Sequence, residues 1–232
     1  MRSIWRTLDA DLWRGVLAIA AAAAINGASF GAIAVAAGLP LWVPVVMSLL
    51  VFAGGSQYLA VGVVAVGGSP IAAVVGGLIL NARHLPFGLA VGEVVGKSWP
   101  ARVIGSHLLI DESVAFAMAQ KDPTRARAAY WACGASLFLA WNAGVLGGAL
   151  AGRLVSDPNA LGLDAVFPAV MLALVLPALH EAGKLRPALL GAVIALATTP
   201  FLPPGVPVLL ALAGLVAVPR KPAPSTESGM AA

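Results

Sequence analysis

The run Asn81-Ala82-Arg83-His84-Leu85-Pro86 sets a permanent cation, a carboxamide, an imidazole and a helix breaker inside an apolar stretch long enough to cross a bilayer. A charge at the bilayer centre costs at least ~2.5–3.5 kcal/mol on the mildest scale, and such a residue marks a functional site by default. Arg83 presents a planar fork of donors that fits a carboxylate. Asn81 offers both donors and an acceptor. Pro86 removes a backbone donor and interrupts the helical ladder. Half-helix N-termini attract anions and C-termini attract cations, so a broken membrane helix suits a zwitterion such as an amino acid.

A second break lies upstream at Gly54-Gly55-Ser56-Gln57. Two adjacent glycines weaken a helix by about 1 kcal/mol each against alanine, and Gln57 is polar at mid-stretch. Helix packing, with Gln57 joining one helix to another, is the structural alternative. Further along, His107 and Asp111 stand four apart, one face of a continuous helix, and Glu112 follows. Buried ionisable groups suit a proton relay, because desolvation favours proton uptake by a carboxylate. Asp111 or Glu112 can equally neutralise Arg83 or lie at the interface.

Other polar residues point to simpler roles. Glu93, Lys97 and Arg102 lie near stretch ends, where long side chains snorkel. His180 and Glu181 read as interfacial, and Asn26 and Asn142 as interhelical glue. Ser56 lacks the Gly-x-Ser-x-Gly elbow of a hydrolase, and no His-Glu-x-x-His motif occurs. Cys133 is the single cysteine, set among apolar residues, and reads as a small core residue. No catalytic residue, metal or cofactor is expected.

These residues need a membrane scaffold to hold them. The chain of 232 residues is 60% hydrophobic and 10% charged, with mean hydropathy +0.93, whereas a soluble domain carries about 25% charged residues. An all-α polytopic membrane bundle with discontinuous helices follows. Apolar stretches run over 14–38, 41–66, 69–95, 101–119, 128–151, 163–180, 187–201 and 205–218, giving seven or eight expected spans. With the N-terminus inside, Arg2, Arg6, Arg14, Lys121, Arg125, Arg127, Lys184, Arg186, Arg220 and Lys221 fall inside. Lys97, Arg102 and Arg153 fall outside, an asymmetry that follows the positive-inside rule.

The long N-terminal leader with Asp9 and Asp11 argues against a cleaved signal peptide. Residues 1–218 read as one transmembrane domain, and the polar, Pro-rich 219–232 as a disordered tail. A faint repeat pairs 43–51 with 167–175, and the break at 81–86 with Thr198-Thr199-Pro200-Phe201-Leu202-Pro203. A true duplication would give halves at 14–119 and 128–218, parallel on eight spans and inverted if one span is lost.

The blocks Phe52-Ala53-Gly54-Gly55-Ser56-Gln57, Asn81-Ala82-Arg83-His84-Leu85 and Asp111-Glu112-Ser113 resemble, in order and spacing, those of the AzlC family. This is the large subunit of bacterial branched-chain amino acid exporters. Pro86 departs from the aromatic more usual there. The resemblance implies an inner-membrane exporter of leucine, isoleucine and valine, with methionine as a further candidate, driven by proton motive force, with a small hydrophobic AzlD-type partner subunit. Both termini are expected in the cytoplasm. The expected substrate site is Arg83, Asn81, Gln57, Gly54, Gly55, Ser56 and His84, and the expected proton-coupling residues are Asp111, Glu112 and His107. Rival functions are a transporter or channel for another small organic anion, a non-transporting assembly subunit, and an intramembrane hydrolase using Ser56.

Overall fold

The computed structural model describes residues 8–154, 172, 176, 179, 185–202 and 206–217. The expected stretch at 163–180, the His180-Glu181 pair, the 167–175 copy of the repeat and the tail lie outside them, apart from residues 172, 176 and 179. The described residues form helices and turns without strands. The chain divides into two compact units, Met1–Ala169 and Val170–Ala232.

Two long helices frame the described part of the first unit: α1 (Ala10–Ala36) and α8 (Pro123–Gly152). At 27 and 30 residues they run about 40 and 45 Å at 1.5 Å per residue, enough to cross a hydrocarbon core of about 30 Å. Each begins on an aspartate cap: Asp9 accepts from the Leu12 N–H and Asp122 from the Arg125 N–H. They pack in parallel and backbone to backbone. A methyl group on Gly27 or Gly31 would strike the Trp141 or Val145 carbonyl, and one on Gly144 or Gly148 would strike that of Ala24 or Ala28. At one end, here the near end, Arg125 donates to Asp9 at 2.7 Å. That bond, with the Leu12 N–H, holds the Asp9 carboxyl below the usual carboxylate range. A lowered folded value means that this clasp is present at neutral pH and is lost as acid takes the solution below that range.

Between the two long helices the chain forms six short ones: α2 (Trp42–Leu50), α3 (Gly54–Ala65), α4 (Pro70–Asn81), α5 (His84–Val95), α6 (Trp99–His107) and α7 (Asp111–Met118). Contacts with α8 fix their directions. Ser48 bonds Asn142 and Phe52 meets Phe138, so α2 descends from the far end to mid-height. Arg83 pairs with Asp111, whose neighbour Ser113 lies beside Gly134, and the Val95 carbonyl accepts from Trp131. Thus α5 descends, and α4, bent from it by only 50°, descends as well. Gly77 and Ala73 of α4 lie against Ser56 and Val63 of α3, so α3 is antiparallel to α4 and climbs back to the far end.

The same argument applies at the near end. Gly96, before α6, lies under Arg127; Gly105 accepts from Tyr130; Leu108 touches Gly134. Helix α6 therefore climbs to mid-height. Helix α7 returns, carrying Phe116 to Gly15 and ending near Gln120, which accepts from Arg125.

The stretches 41–66 and 101–119, expected to cross, are therefore each a hairpin of two half-length helices. One enters from the far end and the other from the near end. Among the described residues, α1 and α8 are long and apolar enough to cross a membrane alone, and the bent α4–α5 pair makes a third crossing. Hydropathy measures the length of an apolar run and not its direction, so both hairpins look like spans in the sequence. The correction also moves Lys97 and Arg102, expected outside, to the end that holds Arg14, Lys121, Arg125 and Arg127. Arg153 stays at the far end.

In the second unit, α9 (Leu185–Thr198) packs against α10 (Val206–Leu210) and the 3₁₀ turn Ala211–Ala217. Gly191 and Gly214 bring the backbones together. Helix α9 ends at Thr198, where the sequence predicts a break; Thr198 and Thr199 hydroxyls donate back to Ala195 or Ile194.

Two measurements test the first unit. In a Cys133→Ser background, cysteines at Lys97 and Lys121 should react with an impermeant thiol reagent from the same membrane face, and cysteines at Trp42 and Val66 from the opposite face. Labelling of Lys97 and Lys121 from opposite faces would make 101–119 a span. Separately, Gly148→Leu should unfold the protein at markedly lower temperature, since overpacking costs about 1–3 kcal/mol or more. Gly147→Leu, whose added carbon meets nothing within 4 Å, should melt like the native chain.

Candidate functional site

Three breaks come to one height along α8: between α2 and α3, between α4 and α5, and between α6 and α7. Each is closed differently. At the first, Phe52 takes a left-handed backbone with φ 39°, a conformation costing a non-glycine residue about 1–2 kcal/mol. No side chain caps the N-terminus of α3. At the second, Ala82 and Arg83 stay near helical geometry, and the Leu85 N–H still reaches the Ala82 carbonyl at 3.1 Å. At the third, Ser113 folds back. Its hydroxyl accepts from the Ile110 N–H and donates to the Leu108 or Ile110 carbonyl, at 3.1, 3.0 and 2.9 Å.

The first and second breaks are neighbours. Gly55 lies against Leu80, one residue before Asn81. Gly54 lies against the Trp141 ring, where a methyl group would come within 2.9 Å. The second and third are joined by charge: Arg83 Nη1 meets Asp111 Oδ2 at 3.0 Å. His84 Nε2 lies 3.8 Å from the other Asp111 oxygen, and its Nδ1 lies 3.1 Å from the Asn81 carbonyl. Asp111 is the first residue of α7, where the helix dipole favours an anion.

Unpaired polar atoms gather at this height. Among the described residues, both amide atoms of Gln57, Asn81 Oδ1, Asp111 Oδ1 and Trp141 Nε1 are buried without a hydrogen-bond partner. Gln57 is 1% exposed. Buried amides left unpaired cost about 1–3 kcal/mol each, so their concentration in one layer marks a place built to receive a polar group. Ser56 differs: it is buried and donates to the Ala53 carbonyl at 2.9 Å. That internal bond gives it the role of a helix-start residue.

The expected set thus divides. Arg83, His84, Asn81 and Asp111 come together, and Gly55 adjoins them through Leu80, while Gly54 packs on Trp141 and Gln57 lies one turn further along α3. Glu112 is exposed on α7. His107 and Asp111, expected on one helix face, sit on separate helices, because Leu108, Leu109 and Ile110 turn the chain between them. His107 instead faces Phe52 and Phe138, with ring centroids 6.3 and 5.4 Å away. Asn142 serves as glue, accepting from Ser48 and donating to the Phe138 carbonyl. Cys133 is buried, as expected of a core residue.

Sequence reasoning missed Trp141 and Ser113. Trp141 packs with Phe30 and Tyr58 at centroid distances of 6.0 and 6.5 Å, and nothing in its neighbourhood in the chain sets it apart. Ser113 had a signal: a serine in the first turn after two acidic residues reads as a helix start.

The ion pair should register in stability. Arg83→Ala and Asp111→Asn should each lower the melting temperature in detergent, and the exchanged pair Arg83→Asp with Asp111→Arg should recover part of the loss. A coupling of about 1 kcal/mol is the scale for a pair exposed to this degree. Strict additivity of the single effects would separate the two charges.

The family described as AzlC protein matches residues 18–155 of this chain. The chain is also 25% identical, over 209 residues, to the branched-chain amino acid transport protein AzlC of Bacillus subtilis (strain 168), covering 87% of this chain and 81% of that protein. No solved structure matches it. With its three sequence blocks brought to one height by three helix breaks, and with more than half its length matched, the chain belongs to the AzlC family.

Proposed function

We propose that this protein is the large subunit of a secondary transporter in the bacterial inner membrane. It exports leucine, isoleucine and valine in exchange for protons and works with a small hydrophobic AzlD-type subunit. One observation carries the proposal: the Arg83–Asp111 pair stands where three broken helices meet, two residues from Asn81, whose amide oxygen is buried and unpaired, with the unpaired amide of Gln57 in the first turns of neighbouring α3. The substrate class comes from the B. subtilis relative. The near end, with Arg14, Lys97, Arg102, Lys121, Arg125 and Arg127, faces the cytoplasm by the positive-inside rule.

The chemistry follows from competition for one guanidinium. Without substrate, Asp111 holds Arg83. A substrate carboxylate takes its place in the donor fork. Gln57, Asn81 and the uncapped start of α3 complete the polar contacts, and the ammonium group turns to the C-terminal carbonyls of α4. Asp111 gives up its proton at the near side as substrate binds and takes one up at the far side after substrate leaves, so substrate and proton cross in opposite directions.

The test is counterflow of labelled leucine in vesicles with an imposed pH gradient. Arg83→Ala should slow transport by about tenfold or more, the loss expected when a charge-assisted bond worth ~1.5–3 kcal/mol disappears. Asp111→Asn should keep exchange of leucine for leucine and lose its response to the gradient. Native rates in Arg83→Ala would remove the substrate role, and an undiminished gradient response in Asp111→Asn would move the proton elsewhere. Movement of another organic anion but no branched-chain amino acid would replace the substrate class.

A further inference from the structure

The two hairpins end on one another. Phe52 is the tip of α2–α3, which enters from the far end. His107 is the last residue of α6, at the tip of α6–α7, which enters from the near end. Their rings lie 6.3 Å apart, and Phe138 of α8 packs on both, edge-on to Phe52 at 5.1 Å and to His107 at 5.4 Å. Phe52 is 5% exposed despite its place on a turn. Its left-handed backbone holds that position against a local cost, and strain of this kind collects where it has a use.

We propose that Phe52, His107 and Phe138 form the plug of the transport path, and that each hairpin is the gate on its own side. This rests on the transport reading above. The reason is mechanical. A helix that crosses the membrane moves at both faces when it moves at one. A hairpin is anchored at one face only, so its tip can swing while the opposite hairpin stays closed.

Phe138 is the fixed member, because α8 is locked to α1 by backbone contact at Gly144 and Gly148. The near hairpin has its own catch, since Asp111 on α7 is held by Arg83 on the bent crossing. Withdrawing α6–α7 removes His107 from the plug and exposes Arg83 to the near side. Withdrawing α2–α3 removes Phe52 and exposes Gln57 to the far side. Phe52 and Phe138 are thereby given a role in separating the two half-pathways and none in binding substrate.

The experiment uses vesicles from cells expressing the full chain with Cys133→Ser together with the small hydrophobic subunit of the proposed transporter. Cysteines replacing Phe52 and His107 are joined by a short bifunctional methanethiosulfonate. Joined tips should lose leucine counterflow and should regain it with reductant. Counterflow at the unjoined rate with the tips joined would overturn the proposal. A second arm measures proton leak through Phe52→Ala/Phe138→Ala. Leak several-fold above the native chain supports the plug, and tightness equal to the native chain overturns it. If the native chain moves no leucine, the transport reading has failed, and the leak arm decides the plug alone.

Discussion

The close contact of α1 with α8 is the constraint on which the first unit depends. Lipid tails are as apolar as leucine, so no hydrophobic force presses membrane helices together. Association there comes from packing, and packing is tightest where backbones touch. Gly27 and Gly31 on one helix, and Gly144, Gly148 and Gly152 on the other, have no side chain to hold the backbones apart. The result is a parallel pair of crossings clasped at the near end by Asp9 and Arg125. Everything else leans on it: α2 through Ser48 and Asn142, α3 through Gly54 and Trp141, α6 and α7 through Leu108 and Ser113 at Gly134. Six short helices of 8 to 12 residues would have little stability without a continuous surface to pack on.

That frame explains why the polar layer can exist. Inside a bilayer each unsatisfied backbone group costs several kcal/mol, so irregular chain is tolerated only where protein or water covers it. The three breaks answer this with different chemistry: Ser113 supplies a hydroxyl, the α4–α5 bend keeps near-helical geometry, and Phe52 accepts a left-handed backbone. The side chains at these breaks are then free for other work. Gln57 and Asn81 carry amide atoms that no neighbour satisfies, and Arg83 has only Asp111 as a charged partner among the described residues. Backbone repair and ligand capacity therefore share one layer.

How much of this was legible in the sequence depends on what each break is made of. Arg83 and Pro86 stand out of an apolar run because their cost in lipid is large, and the glycine pair at 54–55 stands out by composition. The third break is written in Leu108, Leu109 and Ile110, residues that any membrane helix would carry, so it was invisible to hydropathy. Ser113 was a local sign of it. The basic residues were another: Lys97 and Arg102 looked like exceptions to the charge rule, and they cease to be exceptions once α6–α7 returns to its own side. A misplaced charge in a topology drawn from hydropathy is thus evidence about the drawing. The meeting of Phe52 with His107 was beyond reach, because it joins residues more than fifty positions apart on elements whose direction the sequence did not reveal.

The position of Asp111 links site to gate. It is the first residue of α7, so it belongs to the near hairpin, while Arg83 belongs to the bent crossing. In the proposed gating, their ion pair ties the hairpin that swings to a helix pair that crosses. In the proposed exchange, a carboxylate that captures Arg83 does two things at once. It fills the site, and it cuts the tie that holds the near hairpin closed. Binding and opening then share one guanidinium, which has a single donor fork to give. An arginine here is better suited than a lysine, because its planar fork rewards one carboxylate geometry and makes the two partners exclusive. The mid-membrane charge, costly in isolation, is in this arrangement the element that makes opening conditional on substrate.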